Sequence, residues 1–229
     1  MKYTQFLLDA DETIFDFIQA SKSSLQFSLE HYSIPYSPEI YVLFKKFNDG
    51  VWREYERGEI DKAQLRVRRF ERFFSALGVC ADAKAVDGLY FKTLCNAGVL
   101  LEGAEEFLNA LSVRGKIHLL TNGTTAAQKG RIAASGINSY LSNVFISDEL
   151  GIAKPRKEFF DIVLQTIACD KSKCIMIGDS LSSDILGANN AGIDCIWFNP
   201  SHSSQGHGDA CPDYVAYSYA EVLNIIDRS

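Results

Sequence analysis

Four short stretches of the chain are apolar almost without interruption, and each ends abruptly on a polar residue or a glycine. Phe6 to Leu8 stops at Asp9, and Ile117 to Leu120 stops at Thr121. Cys174 to Ile177 stops at Gly178 and Asp179, and Cys195 to Phe198 stops at Asn199 and Pro200. Runs that do not alternate suit strands buried on both faces. Val144 to Ile146 reads as a further strand. Between these runs the apolar period becomes helical. Ala104, Phe107, Leu108 and Leu111 share a face, with Gly115 just beyond, and Ala126 to Ser135 precedes Gly136. Phe159 to Thr166 and Ile185 to Ala191 continue the alternation, the last closing at Gly192. Strand followed by helix, repeated, predicts an α/β fold: a doubly wound parallel sheet with helices on both faces. In such a sheet the functional crevice lies at the carboxyl ends of the strands, where the polar residues that end these runs converge.

The stretch 16–96 breaks this rhythm. It holds no buried-strand pattern and is rich in aromatics and charges, as in VWREYERGEIDKAQLRVRRFERFF. Leu65, Phe70, Phe73, Phe74 and Leu77 form a helical stripe. The expected organisation is a core of 1–15 and 97–229 with a helical insert, 16–96, placed directly after the first strand. That is a natural position for a lid.

Composition narrows the partners. The chain has 229 residues, 47% of them hydrophobic, which is enough for a sizeable core. A net charge of -6 argues against a nucleic-acid polymer as partner, since phosphate backbones are held by clustered Lys and Arg. No apolar run reaches the roughly 20 residues of a membrane span. Acidic residues come too early for a secretory leader, so a cytoplasmic protein is expected. The six cysteines form no CxxC pair and are expected to be buried free thiols. No oligomeric state follows from the sequence.

Four constellations carry candidate chemistry. In LLDADETIFD, Asp9 and Asp11 lie two apart at a strand end and so point the same way. Two such carboxylates repel unless a cation or a proton transfer needs them, although Asp11 or Thr13 could equally be a helix N-cap. In HLLTNGTT, Thr121 precedes an Asn122-Gly123 turn whose N–H groups could cradle an anion, but Asn-Gly turns are common. In GIAKPRKEFF, Lys154 precedes a helix-opening Pro155; a lone lysine is more often just solvated. In IMIGDSLSSDILGA, Asp179 and Asp184 follow a glycine turn and offer hard oxygen ligands of the kind that suit Mg²⁺.

Taken in order, these segments resemble the motifs of the haloacid dehalogenase superfamily: DxDxT, a strand-ending Thr or Ser, a Lys, and GDxxxD. They stand here as Asp9-Ala10-Asp11-Glu12-Thr13, Thr121, Lys154 and Gly178-Asp179-Ser180-Leu181-Ser182-Ser183-Asp184, the last one residue longer than the shortest form. The resemblance covers nearly the whole chain and implies a Rossmann-like core with a helical cap inserted after the first strand. Glu12 departs from the more frequent Gly, and Glu102 from Pro. DADETIFDF, the NGT turn, WREYERGEI and the WFNP segment are similar to the bacterial pyrimidine-nucleotide 5'-phosphatase branch.

The resemblance implies a Mg²⁺-dependent phosphatase acting on a small phosphorylated metabolite. Asp9 would be the nucleophile and Asp11 the acid and base. Asp9, the Asp11 carbonyl and Asp179 would hold the metal. Thr121, Asn122 and Lys154 would hold phosphate, with Thr13, Ser180 and Asp184 in support. A haloacid dehalogenase needs no leaving-group acid, so Asp11 weighs against it. A phosphomutase would keep both aspartates, and a non-catalytic binding protein would not need them all. Selectivity is expected from the insert, where Phe44, Phe47, Trp52, Tyr55 and Arg53 could meet a flat base or could form the insert's own core. Of the histidines, His118 reads as a satisfied core residue, and His202 with His207 reads as a solvated loop rather than a metal site.

Overall fold

The computed structural model describes residues 2–204, 206 and 208–229; His207 lies outside them, so its pairing with His202 is not addressed. The described residues form two compact units, 1–17 with 98–229 and 18–97.

The first unit is built on one sheet. Its strands are β1 (Gln5–Asp9), β2 (Lys116–Thr121), β3 (Leu141–Ile146), β4 (Cys174–Gly178), β5 (Asp194–Phe198) and β6 (Tyr214–Ala216). All pair in parallel, in the order β3-β2-β1-β4-β5-β6. The chain thus winds outward first one way and then the other, and the order reverses between β1 and β4. A doubly wound sheet forms its crevice at that reversal.

Ten α-helices are present among the described residues. The second unit carries α1 (Phe17–His31), whose first residue belongs to the sheet unit, with α2 (Pro38–Glu56), α3 (Lys62–Leu77) and α4 (Ala83–Cys95). The sheet unit carries α5 (Ala104–Ser112), α6 (Thr125–Ser135), α7 (Ser147–Leu150), α8 (Lys157–Ile167), α9 (Leu186–Ala191) and α10 (Tyr219–Arg228). The uninterrupted apolar runs now have their reason. Phe6 and Leu8 pack with Phe107, Leu108, Leu111, Val222 and Ile226 on one face of the sheet. Leu7 points the other way and packs with Phe159, Phe160 and Val163. Alternate side chains meet different helices, so every position of the strand must be apolar.

The helical unit has its own core. Phe44, Phe70, Phe73, Phe74 and Tyr90 are buried, with ring centroids 5.1 to 5.8 Å apart in the Phe44–Phe70, Phe44–Phe73, Phe44–Tyr90, Phe70–Phe74 and Phe73–Phe74 pairs. Phe44 is therefore a core residue. Arg69 is buried too, and donates to Asp87 at 2.8 Å and Asn48 at 3.1 Å. Capping sets the helix ends: Asp61 and Gln64 form a reciprocal capping box at the start of α3, and Gly78 closes it in the left-handed region.

Three details differ from the sequence expectations. β6 is an additional strand, too short to leave a pattern. The segment before α9 is a π-type turn, Leu181–Ile185, so regular helix starts only at Leu186. All six cysteines are free, but only Cys174 and Cys195 are buried; Cys80 and Cys211 are exposed.

Candidate active site

The strand register places the candidate residues along one edge of the sheet unit. Asp9 ends β1 opposite Leu120, one residue before Thr121 ends β2, and Gly178 ends β4 beside β1. Lys154 lies in the connection before α8, where the Lys154-Pro155 peptide is cis.

Lys154 ties the strand ends together. Its ammonium is buried and donates to Asp9 Oδ1 at 2.5 Å, Asp184 Oδ1 at 2.7 Å and the Leu120 carbonyl at 2.8 Å. All three ammonium protons are used. Burial pushes this amine down, but the carboxylates of Asp184 and Asp9 outweigh burial and hold it above the ordinary lysine range. The lysine is therefore a fixed cation. Asn122 places it: the Asn122 side chain donates to the Lys154 carbonyl and accepts from the Lys154 N–H, both at 2.9 Å.

Asp9, Asp179 and Asp184 offer carboxylate oxygens that lie within 4.8 Å of one another. Burial, then the Asp184 charge, pushes Asp9 up to about 7, and Lys154 only partly offsets this. Asp179 is raised well above the usual carboxylate range by burial first, and then by Asp9, Asp184 and Glu12. Three carboxylates against one ammonium leave the cluster short of positive charge. Its donors are hard oxygens, which fit a divalent cation such as Mg²⁺. Asp184 is fully buried, and both its oxygens already accept, Oδ1 from Lys154 and Oδ2 from the Ser180 N–H at 3.1 Å. Asp9 and Asp179 could therefore offer oxygens to such a cation, whereas Asp184 is engaged by Lys154 and Ser180. Ser180 also caps the following turn through its Oγ, which accepts from the Ser183 N–H. Trp197 Nε1 donates to the Asp179 carbonyl at 2.8 Å and fixes that turn.

Asp11 stands apart from the cluster. Gln128 Nε2 donates to its Oδ2 at 2.9 Å, and the Arg131 guanidinium pairs with its Oδ1. Neither Gln128 nor Arg131 stands out in the sequence; in TAAQKGRIAAS they look like an ordinary polar helix face. Thr121 accepts from the Gly123 N–H at 3.0 Å. Thr13 is buried, and its carbonyl accepts from the Tyr219 hydroxyl at 2.8 Å. The Thr13 hydroxyl has no hydrogen-bond partner among the described residues, so it does not tie the turn. Glu12 takes φ 58°, the left-handed region that favours glycine, which explains why Gly is frequent there.

A family model for haloacid dehalogenase-like hydrolases matches residues 3–192. The chain belongs to this family. Among its haloacid dehalogenase-like relatives is the pyrimidine 5'-nucleotidase PynA of Streptococcus pneumoniae, 38% identical over all of this chain and 97% of its own length. The pyrimidine 5'-nucleotidase YjjG of Escherichia coli is 34% identical over 99% of each chain. The structure of the HAD-hydrolase YfnB of Bacillus subtilis, bound to magnesium, superposes with a TM-score of 0.93 at 29% identity, over 99% of this chain and all of that one.

Proposed function

We propose that the chain is a Mg²⁺-dependent phosphatase that hydrolyses pyrimidine nucleoside 5'-monophosphates through an aspartyl-phosphate. The observation that carries the chemistry is the buried Asp9–Lys154–Asp184 constellation beside Asp179, with Asp11 two residues from Asp9. The substrate class rests on full-length likeness to PynA and YjjG.

Asp9 attacks phosphorus and the ester P–O bond breaks, while Asp11 gives its proton to the departing oxygen. Water then attacks the aspartyl-phosphate, Asp11 takes the water's proton, and phosphate leaves with Asp9 restored. Thr121 and the Asn122 N–H hold phosphoryl oxygens. Lys154 balances the charge of nucleophile and phosphate. Asp9, Asp179 and the Asp11 carbonyl would hold Mg²⁺, which when bound neutralises phosphoryl charge so that one anion can approach another.

The core groups address phosphate alone. Choice of the leaving group falls to the helical unit, assigned here as the cap. With Phe44 used in its core, and Trp52 and Tyr55 packed against Val51, Ile60 and Leu65, the half-buried Phe47 and the exposed Arg53 remain for that role. The free thiols support a reducing compartment, the cytoplasm. Among the described residues no helix is long and apolar enough to cross a membrane.

The test is trapping. Brief turnover followed by acid quench should leave phosphate on Asp9, in a Mg²⁺-dependent manner, and Asp9→Asn should retain the fold without turnover. Wild-type turnover by pure Asp9→Asn, or full activity after exhaustive chelation, would refute the mechanism.

A further inference from the structure

We propose that Gln128 and Arg131 are positioning residues for Asp11, and that Gly123 is glycine to make room for that hold; this rests on the phosphatase reading above. Residues 128 and 131 are three apart and share one face of α6, so both reach the same carboxylate, one on each oxygen. The Asp11 side chain is 31% exposed and would otherwise turn freely, whereas that of Arg131 is 1% exposed. The guanidinium is itself held by aromatic rings, lying 4.5 Å from the centroid of Phe15 and 5.6 Å from that of Phe17. Its Nε and Nη2 have no hydrogen-bond partner among the described residues, and Asp11 is its ion-pair partner. The arginine is thus committed to one carboxylate. Phe15 bridges to Asp11, so the clamped carboxylate and the ring that seats the guanidinium belong to the same turn.

Gly123 adds the second observation. Its φ is not in the left-handed region, so the turn itself does not demand glycine. A Cβ there would fall 2.8 Å from Gln128 Cγ and 3.0 Å from Cδ, closer still to Nε2. The space beside the turn is filled by the side chain on its way to Asp11. α6 also begins directly after Thr121 to Thr124. One continuous segment therefore carries both the proposed phosphate-holding turn and the hold on the proposed acid. A carboxylate meant to reach a leaving oxygen needs such a hold, since small misplacements cost large factors in rate.

The experiment compares kcat/KM, with Mg²⁺ present, for an alkyl ester (dUMP) and an activated aryl ester (p-nitrophenyl phosphate). The variants are Gln128→Leu, Gly123→Ala, Arg131→Lys, Arg131→Met and, as calibrator, Asp11→Asn. General-acid help matters most for the basic leaving group, so each variant should lose about tenfold or more on dUMP and much less on the aryl ester. Arg131→Lys should retain more dUMP activity than Arg131→Met. Equal losses on both esters, tracking a fall in the melting midpoint, or no loss at all, would overturn the proposal. Should the Arg131 variants fail to fold, Gln128→Leu and Gly123→Ala decide it. A wild type inert to both esters would remove the phosphatase reading, and this inference with it.

Discussion

The side chain of Asn122 is paired on both its polar atoms with the backbone of Lys154, at 2.9 Å each way. A residue expected to serve phosphate through its N–H therefore also sets the register between the end of β2 and the loop that delivers the lysine. Asn122→Ala should reduce kcat at least tenfold, because Lys154 loses its placement beside Asp9. It should also lower stability by about 1–3 kcal/mol, since two partly buried backbone groups lose partners. Steady-state kinetics and chemical denaturation check both numbers.

The acidic cluster should trade stability for metal binding. Asp179→Asn removes one of three crowded carboxylates and should raise the melting midpoint of the metal-free protein by roughly 2–4 °C for each ~1 kcal/mol relieved. The same variant should lose most of the Mg²⁺-induced stabilisation expected of the wild type, about 2.7 kcal/mol at a hundredfold excess over Kd. Thermal melts of both proteins with EDTA and with Mg²⁺ make the comparison. An Asp179→Asn protein that melts lower without metal would contradict the crowding.

Glu12 sits in backbone that glycine tolerates better, and its charge also bears on Asp179. Glu12→Gly should stabilise the fold by about 1 kcal/mol, the lower end of the cost of a left-handed non-glycine residue. Turnover should remain within a few-fold of wild type. Denaturant midpoints measured with and without the substitution check this.

His118 provides a pH signature for the core. Its Nε2 bonds with Gln5 Oε1 at 2.8 Å, and its Nδ1 with Asn143 Nδ2 at 3.0 Å, an arrangement that the neutral ring satisfies. Burial, with the Lys116 charge, pushes it down to about 4. The folded value lies below the unfolded value of about 6.5, so the unfolded chain takes up the proton first. This contribution is complete above pH 6.5 and is lost as pH falls towards 4. Between pH 7 and 5 it should remove about 1–2 kcal/mol. The loss should be smaller in His118→Gln, as followed by urea unfolding at each pH.

Much of the fold is legible in the sequence because its strands are buried on both faces. A run such as Phe6 to Leu8 admits few other readings, and each run ends on the residue that lines the sheet edge. Asp9, Lys154, Asp179 and Asp184 stand out because acid and base types follow strands in a familiar order. Gln128 and Arg131 do not, because a polar helix face leaves the same pattern whether it meets water or a carboxylate. Only the tertiary register of α6 against the Asp11 turn separates the two. Gly123 reads as a turn former, whereas its neighbour Gln128 supplies the reason for it. The three residues of β6 are too few for a period to show.

The most direct measurement is a set of specificity constants with Mg²⁺ for dUMP, dTMP and UMP, compared with sugar phosphates and phosphoglycolate. A pyrimidine nucleoside monophosphate should lead by at least tenfold, about 1.4 kcal/mol in transition-state stabilisation. A sugar phosphate or phosphoglycolate leading by the same margin would contradict the nucleotidase assignment. Phosphate release from none of them would contradict the phosphatase itself.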